Sequence, residues 1–235
     1  MRPGRRGGAR GLGMPDAGRV IAGSARGRRL LHPGTGTRPF ADRVKQAIFG
    51  MLAPVLADAR VADLFAGSGA GGIEALSRGA ASCDFVEREP AAVRVIEENL
   101  RRTGLAGPAA RVHRSDVAGF LSRGGGPWDI VLLDPPFGDA AILAVLAQLG
   151  DAGSLAPGAL VVARHFWRDE MPERAGRLVR QRERRIGEGV VTVYRAEPVA
   201  ADTSGQGHAP DGALAAPADR PVRAGEGRIV DGGER

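Results

Sequence analysis

The stretch VADLFAGSGAGG, Val61 to Gly72, runs an apolar segment into a glycine turn and decides the fold. Residues 61–65 read as a buried strand, and residues 71–78 beyond the turn read as a helix. Gly67 and Gly69 let the chain reverse sharply and bring its backbone close to a ligand. The helix that follows adds free N–H groups and a positive dipole end. Strand, glycine turn and helix in this order form a nucleotide-cofactor loop, and Gly67, Gly69 and Gly72 also satisfy the weaker pattern G-x-G-x-x-G.

Working outward, strand and helix patterns alternate. Strands are expected at 83–87, 111–113, 130–133 and 159–163, with helices at 90–102, 117–121 and 140–149 between them. Residues 178–186 and 190–195 close the unit as a hairpin about the turn 187–189. The alternation predicts an α/β, Rossmann-like doubly wound fold: a mostly parallel seven-stranded sheet with one antiparallel strand. Upstream, 19–22 and 29–31 are expected to pair as short strands round the turn 23–27. Asp42 is expected to cap a helix bearing Val44, Ala47, Ile48, Met51 and Leu52. Residues 1–18 and 199–235 lack any apolar period and read as disordered tails, the second of low complexity.

Charge is distributed unevenly. Residues 1–50 carry eleven Arg or Lys against two Asp, residues 51–195 carry eighteen of each sign, and residues 196–235 carry four Arg against seven acids. The basic block at the N-terminus is the expected footprint of a surface for a polyanion. The single cysteine, Cys83, excludes an internal disulfide and supplies no zinc cluster; its apolar setting predicts an inert core thiol, and no metal is expected. No apolar run approaches membrane-spanning length and no secretory segment opens the chain, which predicts a cytoplasmic protein with no membrane partner.

Two acids bear on the cofactor. Asp63 lies inside the first strand, where a carboxylate is costly unless a cation or donor meets it; the sulfonium and amino group of S-adenosylmethionine suit it, and a pyrophosphate does not. Glu87 ends the next strand, where an acid accepts from both ribose hydroxyls, and NAD uses such an acid equally well. Asp116, after the third short strand, is placed either to accept from the adenine amine or to cap the helix that begins at Val117.

The strand 130–133 delivers Asp134-Pro135-Pro136-Phe137 at its C-terminal end, the edge of an open α/β sheet where ligands bind. An exocyclic amine on a nucleobase is a poor nucleophile because its lone pair is delocalised into the ring. A carboxylate from Asp134 and the carbonyl of Pro135 can accept both amine hydrogens and localise that pair. Consecutive prolines fix φ and remove competing N–H groups, and Phe137 offers a face on which an extruded base stacks.

Five segments, in their order and spacing, carry a family resemblance: VIAGSARGRRL at 20–30, RPFADRVKQAIF at 38–49, and residues 63–80, 86–100 and 129–137. Together they resemble the bacterial RsmD-type family of 16S rRNA guanine-N2 methyltransferases over roughly residues 19–195. The resemblance implies a monomeric enzyme that moves a methyl group from S-adenosylmethionine to N2 of one guanine in 16S rRNA, within the small ribosomal subunit or an assembly intermediate. It implies an RNA-binding hairpin and helix at 19–54 and a methyltransferase domain at 55–198. On the matched positions the catalytic set is Asp134, Pro135, Pro136 and Phe137. The cofactor set is Asp63, Phe65, Gly67, Ser68, Gly69, Glu87, Arg88, Asp116 and Val117. Arg19, Arg26, Arg28, Arg29, Arg38 and Arg43 would lie beside the cofactor and grip RNA phosphates.

Three positions depart from that pattern. Phe40 stands where threonine is more frequent, Gly71 where a larger apolar residue is usual, and Arg164 where an acid is expected. Gly71 is expected to loosen its helix by about 1 kcal/mol. The residues alone also admit an adenine-N6 amino methyltransferase, a silent RNA-binding assembly factor, and a nicotinamide oxidoreductase. No segment is long enough for the target-recognition domain of the first, the intact 134–137 motif speaks against the second, and no hydride-transfer acid or base marks the third.

Overall fold

The computed structural model describes residues 16–34, 40–136, 141–151 and 153–198. The tails before residue 16 and after residue 198, Arg38 and Phe137 lie outside the described residues. An antiparallel pair, β1 (Asp16–Arg19) and β2 (Arg29–Leu31), leads to α1 (Asp42–Leu52) and a short 3-10 turn at Ala53–Val55. Alternation follows: β3 (Arg60–Leu64), α2 (Ala70–Ser77), β4 (Ser82–Glu87), α3 (Pro90–Thr103), β5 (Ala110–Arg114), α4 (Val117–Ser122), β6 (Trp128–Leu133) and α5 (Ala141–Asp151). The chain then forms β7 (Leu155–Phe166), β8 (Arg174–Ala175), β9 (Leu178–Ile186) and β10 (Gly189–Ala196).

The main sheet has the order β5-β4-β3-β6-β7-β10-β9-β8. Contacts among β5, β4, β3, β6 and β7 are parallel, whereas β10 runs antiparallel to both β7 and β9. The expected α/β class and the antiparallel closing strand are therefore present. The seven expected strands are joined by an eighth, β8, whose two residues pair with Val179 and Leu178 and are too few to show a period. Strand order reverses direction between β3 and β6, so their C-terminal ends border the crevice where such sheets bind ligands.

Alternation along each strand builds two cores. Val61, Phe85, Ile130, Leu132, Val162 and Val191 face α1, α2 and α3. Ala62, Leu64, Val86, Val131, Leu133, Val161 and Tyr194 face α4 and α5. In α1 the helical spacing buries Val44, Ile48, Phe49 and Leu52, each contributing roughly 1.5–3 kcal/mol. Cys83 is fully buried and burial pushes its thiol well above the usual range, as expected of an inert core residue. Among the described residues no helix is long and apolar enough to cross a membrane.

The first hairpin differs from the expected register. Its first strand is Asp16–Arg19, and residues 20–22, though apolar, leave the strand to dock on α2. The buried Glu74 carboxylate accepts the N–H groups of Ile21 (2.8 Å) and Ala22 (3.0 Å) and also receives Arg78 Nε at 2.6 Å. Gly23 permits the contact: a Cβ there would lie 1.7 Å from the carbonyl oxygen of Ser77, and its φ of +84° is left-handed. Asp42 does not cap α1. The capping position is Ala41, with no side-chain bond, because Asp42 turns to Arg19 Nε (3.3 Å) and Lys45 Nζ (3.4 Å). Lys45 is fully buried and donates to the carbonyl of Arg19, tying hairpin to helix.

Candidate active site

β3 ends at Leu64, and the chain leaves the sheet through Phe65, whose φ of +66° is left-handed for a bulky residue and costs about 1–3 kcal/mol. Gly67 (φ +56°) and Gly69 (φ +75°) complete the turn, and Gly69 caps α2. A cavity of about 790 Å³ opens above this loop at the C-terminal edge of β3, β4 and β6. Of the expected cofactor residues, Asp63, Phe65, Gly67, Ser68, Glu87, Arg88, Asp116 and Val117 line it; Gly69 stands behind them as the cap. Asp134, Pro135 and Pro136 reach the same cavity from the end of β6.

The acids are held by backbone donors. Asp63, 4% exposed, accepts from Gly72 N–H at 2.7 Å and thereby caps the first turn of α2 as well as facing the cavity. Burial pushes its carboxyl up to about 7; the Gly72 bond opposes this, and the charges of Asp134 and Glu87 reinforce it. Glu87 receives Gly67 N–H on one oxygen (2.8 Å) and Glu89 N–H on the other (2.9 Å). Asp116 caps α4 through Oδ1, which accepts from Gly119 N–H at 2.7 Å, so the capping role is present and Oδ2 remains for a second donor.

Gly71 has a reason the sequence did not reveal. A Cβ at this position would stand 3.1 Å from Asp63 Oδ2 and 3.1 Å from Leu132 Cδ1, so glycine leaves room for the acid beneath the cavity floor. Arg164, on β7, sends Nη1 to both oxygens of Asp134 at 3.1 Å and lines the cavity. An arginine where an acid was expected thus faces the carboxylate of the 134–136 motif.

The N-terminal arginines are arranged differently from what the resemblance implies. His32, Pro33, Phe40 and Ile48 line the cavity, but Arg19, Arg26, Arg28, Arg29 and Arg43 do not. The hairpin tip docks against Ser77, the end of α2 farthest from the glycine loop, and only the exit from β2 approaches the cavity. Sequence reasoning missed Phe40, Ala144 and Gln148 as lining residues; Phe40 was marked only as an unusual residue, and the α5 pair bears no motif.

Charge tests which nucleotide cofactor fits. The cavity wall carries five carboxyl groups, Asp63, Glu87, Glu89, Asp116 and Asp134, against the guanidinium groups of Arg88 and Arg164. Such a lining repels a pyrophosphate and attracts a cationic amino acid moiety, with Glu87 and Asp116 spaced along the strand ends for ribose and base. The residues therefore fit S-adenosylmethionine and fit NAD poorly.

Sheet order, the glycine loop and the crevice between β3 and β6 define the Rossmann-like class I methyltransferase fold. The solved chain of Escherichia coli yhhF superposes with a TM-score of 0.70 at 36% identity, covering 76% of this chain and 97% of that one. SMU.776, solved with S-adenosylhomocysteine, shares the fold at 15% identity and a TM-score of 0.56, covering 69% of this chain and 52% of its own. In sequence, Ribosomal RNA small subunit methyltransferase D of Escherichia coli strain K12 is 38% identical over 180 residues, 76% of this chain and 90% of the relative. Its Haemophilus influenzae counterpart is 35% identical over 146 residues, 61% of this chain and 76% of the relative. The family profile described as conserved hypothetical protein 95 matches residues 18–195, and the chain belongs to this RsmD-type family.

Proposed function

We propose that the protein is an S-adenosylmethionine-dependent rRNA methyltransferase acting on the exocyclic N2 of a guanine in 16S rRNA of the small ribosomal subunit. The observation that carries this reading is the juxtaposition of Asp134-Pro135-Pro136 with the buried Asp63 in one acid-lined cavity of an RsmD-type chain. The rRNA substrate is drawn from the names of the relatives, and the guanine N2 position from the resemblance.

Bound S-adenosylmethionine supplies an electrophilic methyl group on a sulfonium. Asp63 holds the cationic end of the cofactor, and its ionised form is stabilised when that charge arrives. Glu87 keeps its backbone donors and accepts ribose hydroxyls with its remaining lone pairs, while Asp116 Oδ2 accepts the adenine amine. Asp134 and the carbonyl of Pro135 accept the two hydrogens of the substrate amine and turn its lone pair toward the methyl group. The methylated nitrogen would be acidic, so after transfer its proton passes to the Asp134 carboxylate that holds it and on to solvent, and Asp134 need not act as a strong base beforehand. Phe137 completes the motif as a stacking face for the base. Arg88 edges the cofactor cavity, and Arg19, Arg26, Arg28, Arg29, Arg38 and Arg43 serve RNA phosphates.

Tritiated methyl transfer to small subunits lacking the modification, followed by nucleoside analysis, tests the assignment. N2-methylguanosine is expected; label in N6-methyladenosine, or none, overturns it. Asp134→Ala is expected to abolish transfer while leaving cofactor affinity within a few fold.

A further inference from the structure

A second cleft, of about 260 Å³, opens between α1 and the end of β9. Arg43, Gln46, Ala47, Arg184, Arg185 and Ile186 line it, without a carboxylate. Among the described residues none of these three arginines has a carboxylate partner; Arg185 Nε meets only the carbonyl of Gly187, at 3.1 Å. The acids of this strand and turn point elsewhere: Glu183 is engaged by Arg180 and Thr192, and Glu188 lies outside the cleft wall. Arg184 pairs with Val191 and so lies on the α1 side of the sheet opposite Arg43, whereas Arg185, its strand neighbour, alternates toward Trp167. Two like charges thus meet at the cleft with a third at its rim, and an anion seated between them relieves the repulsion.

Beside the cleft stands Trp167, 40% exposed. The Arg185 guanidinium lies 4.8 Å from its ring centroid and that of Arg168 lies 4.7 Å away. A guanidinium-flanked aromatic next to an anion cleft is the arrangement by which proteins hold single-stranded nucleic acid, the arginines on phosphates and the ring under a base. Charged side chains on an open sheet edge also discourage aggregation, and β9 beyond Val179 is such an edge. That role accounts for Arg182 and Arg184 but not for the convergence of Arg43, which comes from a helix.

The cleft also lies on the working side of the molecule. α1 contributes Arg43, Gln46 and Ala47 to it and Ile48 to the main cavity. β7 sends Arg164 into that cavity and ends at Phe166, directly before Trp167. The order of β7, β10 and β9 thus carries one continuous edge from the cavity to the cleft.

We infer that the cleft between α1 and the β9–β10 turn binds the phosphate backbone of a single-stranded RNA segment, with a neighbouring base stacked on Trp167. This rests on the RNA methyltransferase reading and adds a contact surface outside the N-terminal hairpin.

The probe is a fluorescein-labelled, unstructured RNA of about twelve nucleotides, within the span such sites cover. Anisotropy across a salt series and tryptophan emission are read on the full chain. Trp128, the other tryptophan, is 1% exposed, so RNA-dependent quenching reports on Trp167. The double variant Arg184→Ala/Arg185→Ala is expected to bind about tenfold more weakly at 0.15 M salt, with the slope of log affinity against log salt flatter by about 1.4. Trp167→Ala is expected to lose about tenfold and the quench with it, and Trp167→Phe to retain most of the affinity. Arg174→Ala, an exposed arginine paired with Glu197 on β8, is expected to change neither quantity. Matching thermal midpoints for all variants exclude a folding cause. Wild-type protein that methylates small subunits and binds the RNA, with the double variant unchanged in affinity and slope or with emission unmoved by RNA, overturns this inference alone. Wild-type protein that neither binds RNA nor methylates subunits overturns the RNA reading and the inference together.

Discussion

On the proposed function, Asp63 couples ligand binding to pH. Its carboxyl is buried to 4% exposure, and burial raises it to about 7 against the bond from Gly72 N–H, with Asp134 and Glu87 pushing it further. At pH 7 about half of the ligand-free molecules then carry a proton there, at pH 6 about nine-tenths and at pH 8 about one-tenth. A cationic ammonium brought beside the carboxyl favours its ionised form, so binding expels the proton. Calorimetric titration with S-adenosylhomocysteine in buffers of different ionisation enthalpy is expected to read about half a proton released at pH 7 and nearly one at pH 6. Asp63→Asn retains an oxygen for Gly72 N–H and is expected to abolish the release. The stability of the ligand-free fold carries the same signature. The folded value lies above the ordinary aspartate value of 3.8, so this group's contribution is fully present below 3.8 and is lost as pH rises through about 7, a span on the order of 4 kcal/mol. A binding heat independent of buffer at pH 6, or equal proton release from Asp63→Asn, refutes the placement of Asp63 against the ligand's positive charge.

Arg164→Gln removes the cation that bonds both oxygens of Asp134; single-turnover methyl transfer is expected to slow by roughly 10- to 100-fold, with cofactor affinity within a few fold. Gly71→Ala is favoured by helix propensity yet places a Cβ 3.1 Å from Asp63 Oδ2, so weaker S-adenosylhomocysteine binding is expected in place of a more stable helix, read by calorimetry and thermal melting. Asp84 is buried, which alone would raise its carboxyl, but bonds from Arg111, Trp128 and His113 outweigh burial and hold it at about 2. Its folded value is depressed, so its contribution, about 2 kcal/mol, is present above 3.8 and lost as pH falls toward 2; urea melts from pH 5 to 2 should show the loss, and Asp84→Asn should flatten it. Gly23→Ala drives a Cβ into the Ser77 carbonyl and is expected to release the hairpin tip, seen as new proteolytic cleavage near residues 20–28.

Much of the fold was legible because β3, β4 and β6 are short apolar runs closed by chemically marked ends: the glycine loop, Glu87 and Asp134. Boundaries failed where tertiary contacts overrode local pattern. Val20, Ile21 and Ala22 look like strand, but the Glu74 carboxylate takes two of their N–H groups across more than fifty residues of sequence. β7 was expected to begin at residue 159, yet it begins at Leu155, because Pro157 and Gly158 lie in an irregular stretch where five steps of β7, Leu155 to Leu160, span the two steps from Trp128 to Ile130 in β6. In the site, the acids could be placed by spacing, since each ends or precedes an element. The Arg164 pairing with Asp134 could not, because it joins two strands thirty residues apart and reverses the sign expected at that position. Arg43, Arg184 and Arg185 escaped for a related reason: the segment 51–195 is neutral as a whole, and the convergence of its arginines on a helix near the N-terminus is visible only in three dimensions.

The two charge regimes of the molecule constrain how a substrate can enter. The main cavity is lined by five carboxyls against two guanidinium groups, which favours the cationic part of the cofactor and opposes any phosphate brought inside. The arginines of the second cleft lie outside that wall, and surface charges are screened within about 8 Å at physiological salt, so each region can keep its own sign. On the proposed function, RNA therefore cannot lay its backbone across the cavity. The phosphates remain on the arginine surfaces while a single uncharged base leaves the stack and crosses to Asp134. Arg164 stands at that crossing, bonded to the carboxylate that must accept the substrate amine. An entering amine has to share or displace this guanidinium with one hydrogen while its other hydrogen goes to the Pro135 carbonyl, so seating the base needs both hydrogens at once. An N2-methylated guanine already in place has one hydrogen for these two acceptors, leaves either the Asp134 carboxylate with Arg164 or the Pro135 carbonyl unmet, and is expected to be a poor second substrate.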